Sequence, residues 1–252
     1  MFNVKMADAK LFRDLMSAIS TLIDEATFNA SPEGITLRAM DPSHVAMVDF
    51  EWPRSVFEGY TCDQPTKICV NLSEMQKLLR GAGTNESVEI SLDEQTKKLN
   101  IKLRGKYTRT FSMTTLEAAG EEAPIPKIVF NAKAKLTTAA LRQSMDDAST
   151  VSDHVRLEAS PDKFVMIATG DVGSAKIELE KESEVLLGLE VKEESKATFS
   201  LSYLAEIIKS ASTTSDIATL EFSTNMPVRL DFELPQGGKL TYYLAPRIES
   251  EA

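Results

Sequence analysis

Histidine and cysteine are nearly missing from this chain, two of each in 252 residues. Cys62 and Cys69 match no zinc-ligand spacing, and two histidines cannot complete a site elsewhere, so no metal is expected. A pair of thiols fits a reducing compartment, with both read as small side chains packed on strands. Long apolar runs are missing too. No stretch approaches the roughly 18 residues of a membrane span. The opening MFNVKMADAK lacks the apolar segment of a signal peptide. The expectation is a soluble intracellular protein with no membrane partner. The chain also carries no phosphate-binding GxxxxGK[ST] loop, no GxGxxG turn and no nucleophile elbow, so neither an enzyme nor a cofactor is expected. Basic residues are in deficit: 28 Lys and Arg against 38 Asp and Glu, a net charge of −10. Affinity for nucleic acid comes mainly from basic groups on phosphates, so the whole-chain charge argues against free DNA binding. Where the charges sit then matters more than their sum.

What the chain does have, it has twice. Set against itself at an offset of 129, Ala30-Ser31-Pro32 falls on Ala159-Ser160-Pro161. Upstream, Arg13 meets Arg142, Met16 meets Met145, Ser20-Thr21 meets Ser149-Thr150 and Asp24 meets Asp153. Downstream, Lys67 meets Lys196, Leu72-Ser73 meets Leu201-Ser202 and Ala82 meets Ala211. One register held across most of each half marks two copies of one domain. At 42% hydrophobic residues, each copy has material for a core.

Each copy follows one plan. A helix comes first, its stripe made by Leu11, Phe12, Leu15, Met16, Ile19, Leu22 and Ile23 in copy one and by Leu136, Leu141, Met145, Ala148 and Val151 in copy two. Short strand-like runs follow. A second helix then carries Leu72, Met75, Leu78 and Leu79, ended by Gly81 and Gly83, or Tyr203, Leu204, Ile207 and Ile208. Alternating runs close the copy. The fold class is α+β: two repeated domains, 1–114 and 128–252, each with two helices on an antiparallel sheet. The link 115–127, TLEAAGEEAPIPK, has no periodicity and reads as an exposed connector. Prolines on both sides of Ile125 hold that apolar residue extended, a form suited to docking.

On the helices, taken as 9–23, 72–82, 137–151 and 202–210, charge is distributed differently. Lys10, Arg13, Lys77, Arg80, Arg142 and Lys209 outnumber Asp14, Glu74, Asp146, Asp147 and Glu206 by one, leaving −11 on the rest of the chain. Lys10 and Arg13, like Lys77 and Arg80, are three apart and share a helix face, read as opposite the apolar stripe. Such a surface suits light phosphate contact without base readout. The run 107–113 reads as the closing strand of copy one, with Tyr107, Arg109, Phe111 and Met113 on one face. The run 174–181, holding Lys176, Ile177 and Leu179, reads as an edge strand of copy two.

Four segments carry a family resemblance: 37–48 (LRAMDPSHVAMV), 60–63 (YTCD), 71–79 (NLSEMQKLL) and 242–249 (YYLAPRIE). Together they resemble the sliding clamps of the proliferating cell nuclear antigen family, archaeal-type, over essentially the whole chain. The resemblance implies a trimer, homotrimeric or with related subunits, whose six domains form a pseudo-sixfold ring around duplex DNA. Lys10, Arg13, Lys77, Arg80, Arg142 and Lys209 would face that DNA without base specificity. The strand holding Tyr107, Arg109, Phe111 and Met113 would pair with the one holding Lys176, Ile177 and Leu179 of a neighbour. Clamp loader, DNA polymerase, flap endonuclease and DNA ligase would dock short peptides on Met40, His44, Val45, Met47, Ile125, Pro126, Pro227, Tyr243, Ala245 and Pro246. The ring acts by topology, as a processivity factor and platform in DNA replication and repair. Its compartment would be the archaeal cytoplasm and nucleoid, or a eukaryotic nucleus. One departure stands out: the first helix of copy two pairs Arg142 with Asp146 and Asp147. DNA contact there is expected to be weak, or moved to Lys133 and Lys135. Three other readings stay open at this level: a heterotrimeric or checkpoint-type clamp subunit, an unrelated duplicated interaction protein that binds no DNA, and an enzyme without a recognisable motif.

Overall fold

A computed structural model describes residues 1–118 and 122–248. Residues 119–121 of the expected connector, and Glu249 of the last family segment, lie outside the described residues. Contacts divide the chain into two compact units. The first comprises Met1–Pro42, Val48–Ala123 and Leu234–Leu240. The second comprises Ser43–Met47, Pro124–Glu233 and Thr241–Ala252.

The first half runs β1 (Phe2–Met6), α1 (Ala9–Ser20), β2 (Glu25–Ser31), β3 (Gly34–Met40), β4 (Ala46–Pro53), β5 (Gly59–Cys62), β6 (Thr66–Asn71), α2 (Leu72–Leu79), β7 (Ser87–Asp93), β8 (Lys98–Arg104) and β9 (Thr108–Thr114). The second half runs β10 (Ala132–Thr137), α3 (Thr138–Ser149), β11 (His154–Ser160), β12 (Lys163–Gly170), β13 (Gly173–Glu180), β14 (Leu186–Val191), β15 (Ser195–Ser200), α4 (Leu201–Ala211), β16 (Ile217–Phe222), β17 (Val228–Glu233) and β18 (Lys239–Leu244). The repeat is visible element by element. α3 begins and ends 129 residues after α1, and β11 after β2 and β15 after β6 do the same. Strand orders match: β5-β1-β7-β8-β9 and β4-β3-β2-β6 in the first half, β14-β10-β16-β17-β18 and β13-β12-β11-β15 in the second. Every pairing whose register is given is antiparallel.

Each copy opens with a strand, where the sequence reading expected a helix. In β1, Phe2, Val4 and Met6 point to the core and alternate with half-buried Asn3 and Lys5, a period-two signal in a segment short enough to overlook. The first helices are also shorter than expected. α1 stops at Ser20, so Leu22 and Ile23 are buried beyond its end, and Val151, only partly covered, lies beyond the end of α3. Leu136 belongs to β10. A core-facing strand that leads straight into a helix prolongs the apolar count, so periodicity alone overran the boundary.

Local chemistry sets the helix starts. Asp8 accepts from Leu11 N–H at 2.9 Å, Asn71 from Glu74 N–H at 2.9 Å and Thr137 from Ala140 N–H at 3.4 Å. Such caps satisfy donors that a helix's first turn leaves free. Ser200, at the start of α4, makes no side-chain cap bond. In each unit the helices lay Leu and Met side chains against the sheets. The first unit adds an aromatic chain: Phe12 stacks on Trp52 at 6.0 Å, and Phe50 and Phe57 meet Trp52 edge-on at 5.1 and 5.5 Å. Gly34 starts β3 where a Cβ would stand 2.2 Å from Trp52 O, so no other residue fits there.

Candidate functional site

The six basic residues singled out for DNA are all on or beside the helices, but the two units differ. In the first unit, α1 holds Asp14 almost fully buried at 7% exposure. Lys10 Nζ sits 2.6 Å from its Oδ2, and Arg13 donates from Nε and Nη2 to its Oδ1 at 2.9 and 2.7 Å. Arg13 Nη1 also donates to Ala82 O at 2.6 Å, beyond the end of α2. Lys10 and Arg13 are thus committed to their own helix and its neighbour. Helical spacing sets Lys10 and Arg13 on the side of α1 away from buried Phe12, Leu15 and Ile19, and Asp14 beside them is buried where they pair with it. Lys77 and Arg80 are exposed and make no ion pair among the described residues. Arg80 caps α2 from outside it. Within the helices proper, five basic residues therefore face five acidic ones, not six against five.

In the second unit, Arg142 and Lys209 are exposed beside Asp146, Asp147 and Glu206. Arg142 stands 3.9 Å from Asp146, one turn on. Lys133 and Lys135, the alternative contacts, lie on β10. They alternate with buried Ala132, Ala134 and Leu136, the side on which α3 packs. Strand alternation puts both lysines on the face away from the helices, so they do not substitute for helix charges. Lys135 reaches Glu233 at 3.4 Å.

The docking residues fall mainly in the second unit. There Ala245 N–H donates to Val45 O at 2.8 Å, which sets the 43–47 segment beside the end of β18. Val45 is exposed, and Tyr243 is nearly buried. His44 is exposed with φ +57, a left-handed turn conformation. The Arg229 guanidinium lies 5.6 Å from the Phe130 ring. Ser223 accepts from Asn131 N–H at 2.9 Å and donates to Val129 O at 3.0 Å, fixing the chain before β10 beside the β16–β17 turn that carries Met226 and Pro227. These contacts, all within the second unit, join Val129 to Ser223, Phe130 to Arg229 and Val45 to Ala245. Ile125 is half exposed, and Pro126 is partly covered. The sequence reading did not single out Val129, Phe130, Met226 or Arg229, although Pro227, which it did name, stands next to Met226. Met47 is 3% exposed and packs in the core, so it offers a docking partner little surface. Met40 belongs to the first unit and is partly exposed.

The two edge segments are edges in the strand orders, β9 on one sheet and β13 on another. Tyr107 precedes β9 and is exposed, while Met113 is buried. Arg109 is occupied within its own unit: it donates to both Glu86 carboxylate oxygens at 2.7 and 2.6 Å and to Gly81 O at 3.0 Å. The Gly83 N–H, and after it Arg109, hold the Glu86 carboxyl below its ordinary range. On β13, Ile177 and Leu179 face the covered side and Lys176 the exposed one.

Comparison with known proteins covers the whole chain. Residues 1–122 match the model of the proliferating cell nuclear antigen N-terminal domain, and residues 124–247 that of its C-terminal domain. The chain is 38% identical to a DNA polymerase sliding clamp of Nitrosopumilus maritimus over 249 residues, 99% of both chains. It is 36% identical to one from Thermococcus gammatolerans, over 98% of this chain and 99% of that one. A crystal structure of PCNA from Thermococcus kodakaraensis is similar at TM-score 0.93 and 27% identity, over 98% of this chain and all of that one.

Proposed function

Because this chain belongs to the proliferating cell nuclear antigen family, we infer that it is a DNA sliding clamp that serves as a processivity factor, and we propose that three copies close into a ring around duplex DNA. The carrying observation is that both halves match the family's two domains while the whole chain superposes on a solved member. Two features of the chain support closure. In the second unit β18 has 43–47 beside it, beginning β4. Among the described residues, its counterpart β9 has no strand on its outer side, and neither has β13, the counterpart of β4. A second copy brings β13 to β9 and repeats the arrangement that β18 already has. Unpaired edges need cover, and a head-to-tail contact that closes supplies it.

The reading is of a non-catalytic scaffold, with retention by topology. Helix charge is balanced and the remainder acidic, so phosphate contact is weak; a tight grip would oppose sliding. Clamp loader, polymerase, flap endonuclease and ligase are the proposed clients, docking apolar anchors on exposed Val45, Val129 and Met226 together with Ile125 and Pro126. The test is to load the protein on nicked circular DNA with a clamp loader, raise the salt, then linearise the circle. The expected result is retention through the salt step and loss on cutting. Loss on salt alone, with cutting of no consequence, overturns the reading.

A further inference from the structure

Arg38 on β3 is short of partners for its size. Its Nη2 lies 3.1 and 3.4 Å from the two Asp49 oxygens, while its Nε is buried with no hydrogen bond. Its remaining amine, Nη1, stands 3.8 Å from Glu122 Oε2. The other Glu122 oxygen accepts a short hydrogen bond from Asn29 Nδ2 on β2. Glu122 belongs to the segment 115–127, and among the described residues of that segment no other side chain makes an ion pair with a strand. The segment's backbone is tied earlier, where Leu116 N–H donates to Cys69 O at 2.8 Å. The second repeat staples its exit at the matching strand position: Arg247 N–H donates at 2.7 Å to Thr198 O, 129 residues after Cys69. Its side-chain tie differs, running from Arg247 Nη1 to the His154 ring at 2.6 Å.

We propose that Asn29 and Arg38 form a socket for the Glu122 carboxylate, and that this socket positions Ile125 and Pro126 for client docking. The second half of the proposal rests on the client-docking reading above; the first half does not. Glu122 precedes Ile125 by three residues, and an extended chain spans at most about 3.6 Å per residue. Fixing Glu122 therefore confines Ile125 to a small volume. The socket is polar and half exposed, so its hold is modest and reversible, suited to a strap that yields when a client arrives. Asn29 and Arg38 act through the connector and are positioning residues.

The test has two readouts. Amide hydrogen exchange over 122–127 is measured without any client, in the wild type and in Glu122→Gln, Glu122→Lys and Arg38→Lys. Glu117→Lys, which changes charge in the same connector at an exposed residue with no side-chain partner, is the control. Exchange is expected to quicken about two- to fivefold in the Glu122 variants and to stay unchanged in the control, the scale of an exposed ion pair. In Arg38→Lys, which keeps the charge, a smaller increase is expected. The second readout is the association rate of a synthetic peptide with an aliphatic and two aromatic anchors, expected to fall in the Glu122 variants alone. Unchanged exchange in both Glu122 variants overturns the socket, whatever the peptide does. Quickened exchange with an unaltered peptide rate leaves the socket standing and removes its role in docking. A peptide that binds none of the proteins, wild type included, fails the client-docking reading instead.

Discussion

Single side chains set much of this protein's surface electrostatics. Glu178 on β13 lies 2.5 Å from Lys163 Nζ and 2.7 Å from Lys176 Nζ. The Lys163 hydrogen bond, then that of Lys176, holds its carboxyl down to about 2. A depressed acid stabilises the fold above its unfolded value near 4.5, and that contribution is lost as pH falls toward the folded value. Glu178→Gln is thus expected to melt below the wild type near neutral pH, with the gap closing between about pH 4.5 and 2. Thermal melts across that range check it, and a gap that widens on acidification would contradict the assignment. At the proposed docking surface, Ile125→Ala with Tyr243→Ala is expected to abolish binding of the anchor peptide while the oligomer survives. Calorimetry beside size measurement tests this, and unchanged affinity would move the docking site elsewhere.

At the scale of elements, the four helices start alike in sequence and differently in chemistry. Asp8 and Asn71 close cap bonds at 2.9 Å, while Ser200 closes none. Asp8→Ala and Asn71→Ala should each cost about 1 kcal/mol, and Ser200→Ala no more than a few tenths. Urea unfolding with an unchanged slope separates these outcomes, and equal losses at all three positions would mean that cap geometry is not what matters. The first unit's core also has an apolar cavity of about 50 Å³, lined by Phe2, Val4, Phe12, Phe50, Trp52 and Ile90 among others. Val4→Ile adds one methylene toward it and should stabilise by roughly 0.5–1 kcal/mol, since unfilled core volume is lost packing. A loss of stability would show that the neighbouring rings leave no room.

For the whole molecule, assembly is the quantity to measure. Phe111 on β9 and Ile177 on β13 both stand on partly covered faces of edge strands. Phe111→Ala with Ile177→Lys removes an apolar contact and puts a charge where the proposed ring closes. The wild type should run at three times 27.8 kDa and the variant as a monomer at micromolar concentration. A variant still at the trimer mass would place the contact elsewhere. Arg109, although on the same strand, is held by Glu86 and Gly81, so Arg109→Ala should loosen the end of α2 before it affects assembly.

The sequence by itself determined the duplication, the α+β class and the helix faces. These rest on local periodicity and on a register of 129 residues, and both survive in any single chain read end to end. The family segments gave the function in the same way, since motif identity needs no coordinates. Tertiary structure decided the rest. Lys10 and Asp14 stand one helical turn apart, a pair that sequence spacing already implies, but only folding brings Ala82 O beneath Arg13. Lys133 and Lys135 looked like substitutes for helix charge until β10 turned them to the far face of a sheet. The contacts that join Val129 to Ser223, Phe130 to Arg229 and Val45 to Ala245 connect residues from about one hundred to two hundred positions apart. No local pattern encodes such contacts, because each is made only when segments distant in sequence lie side by side.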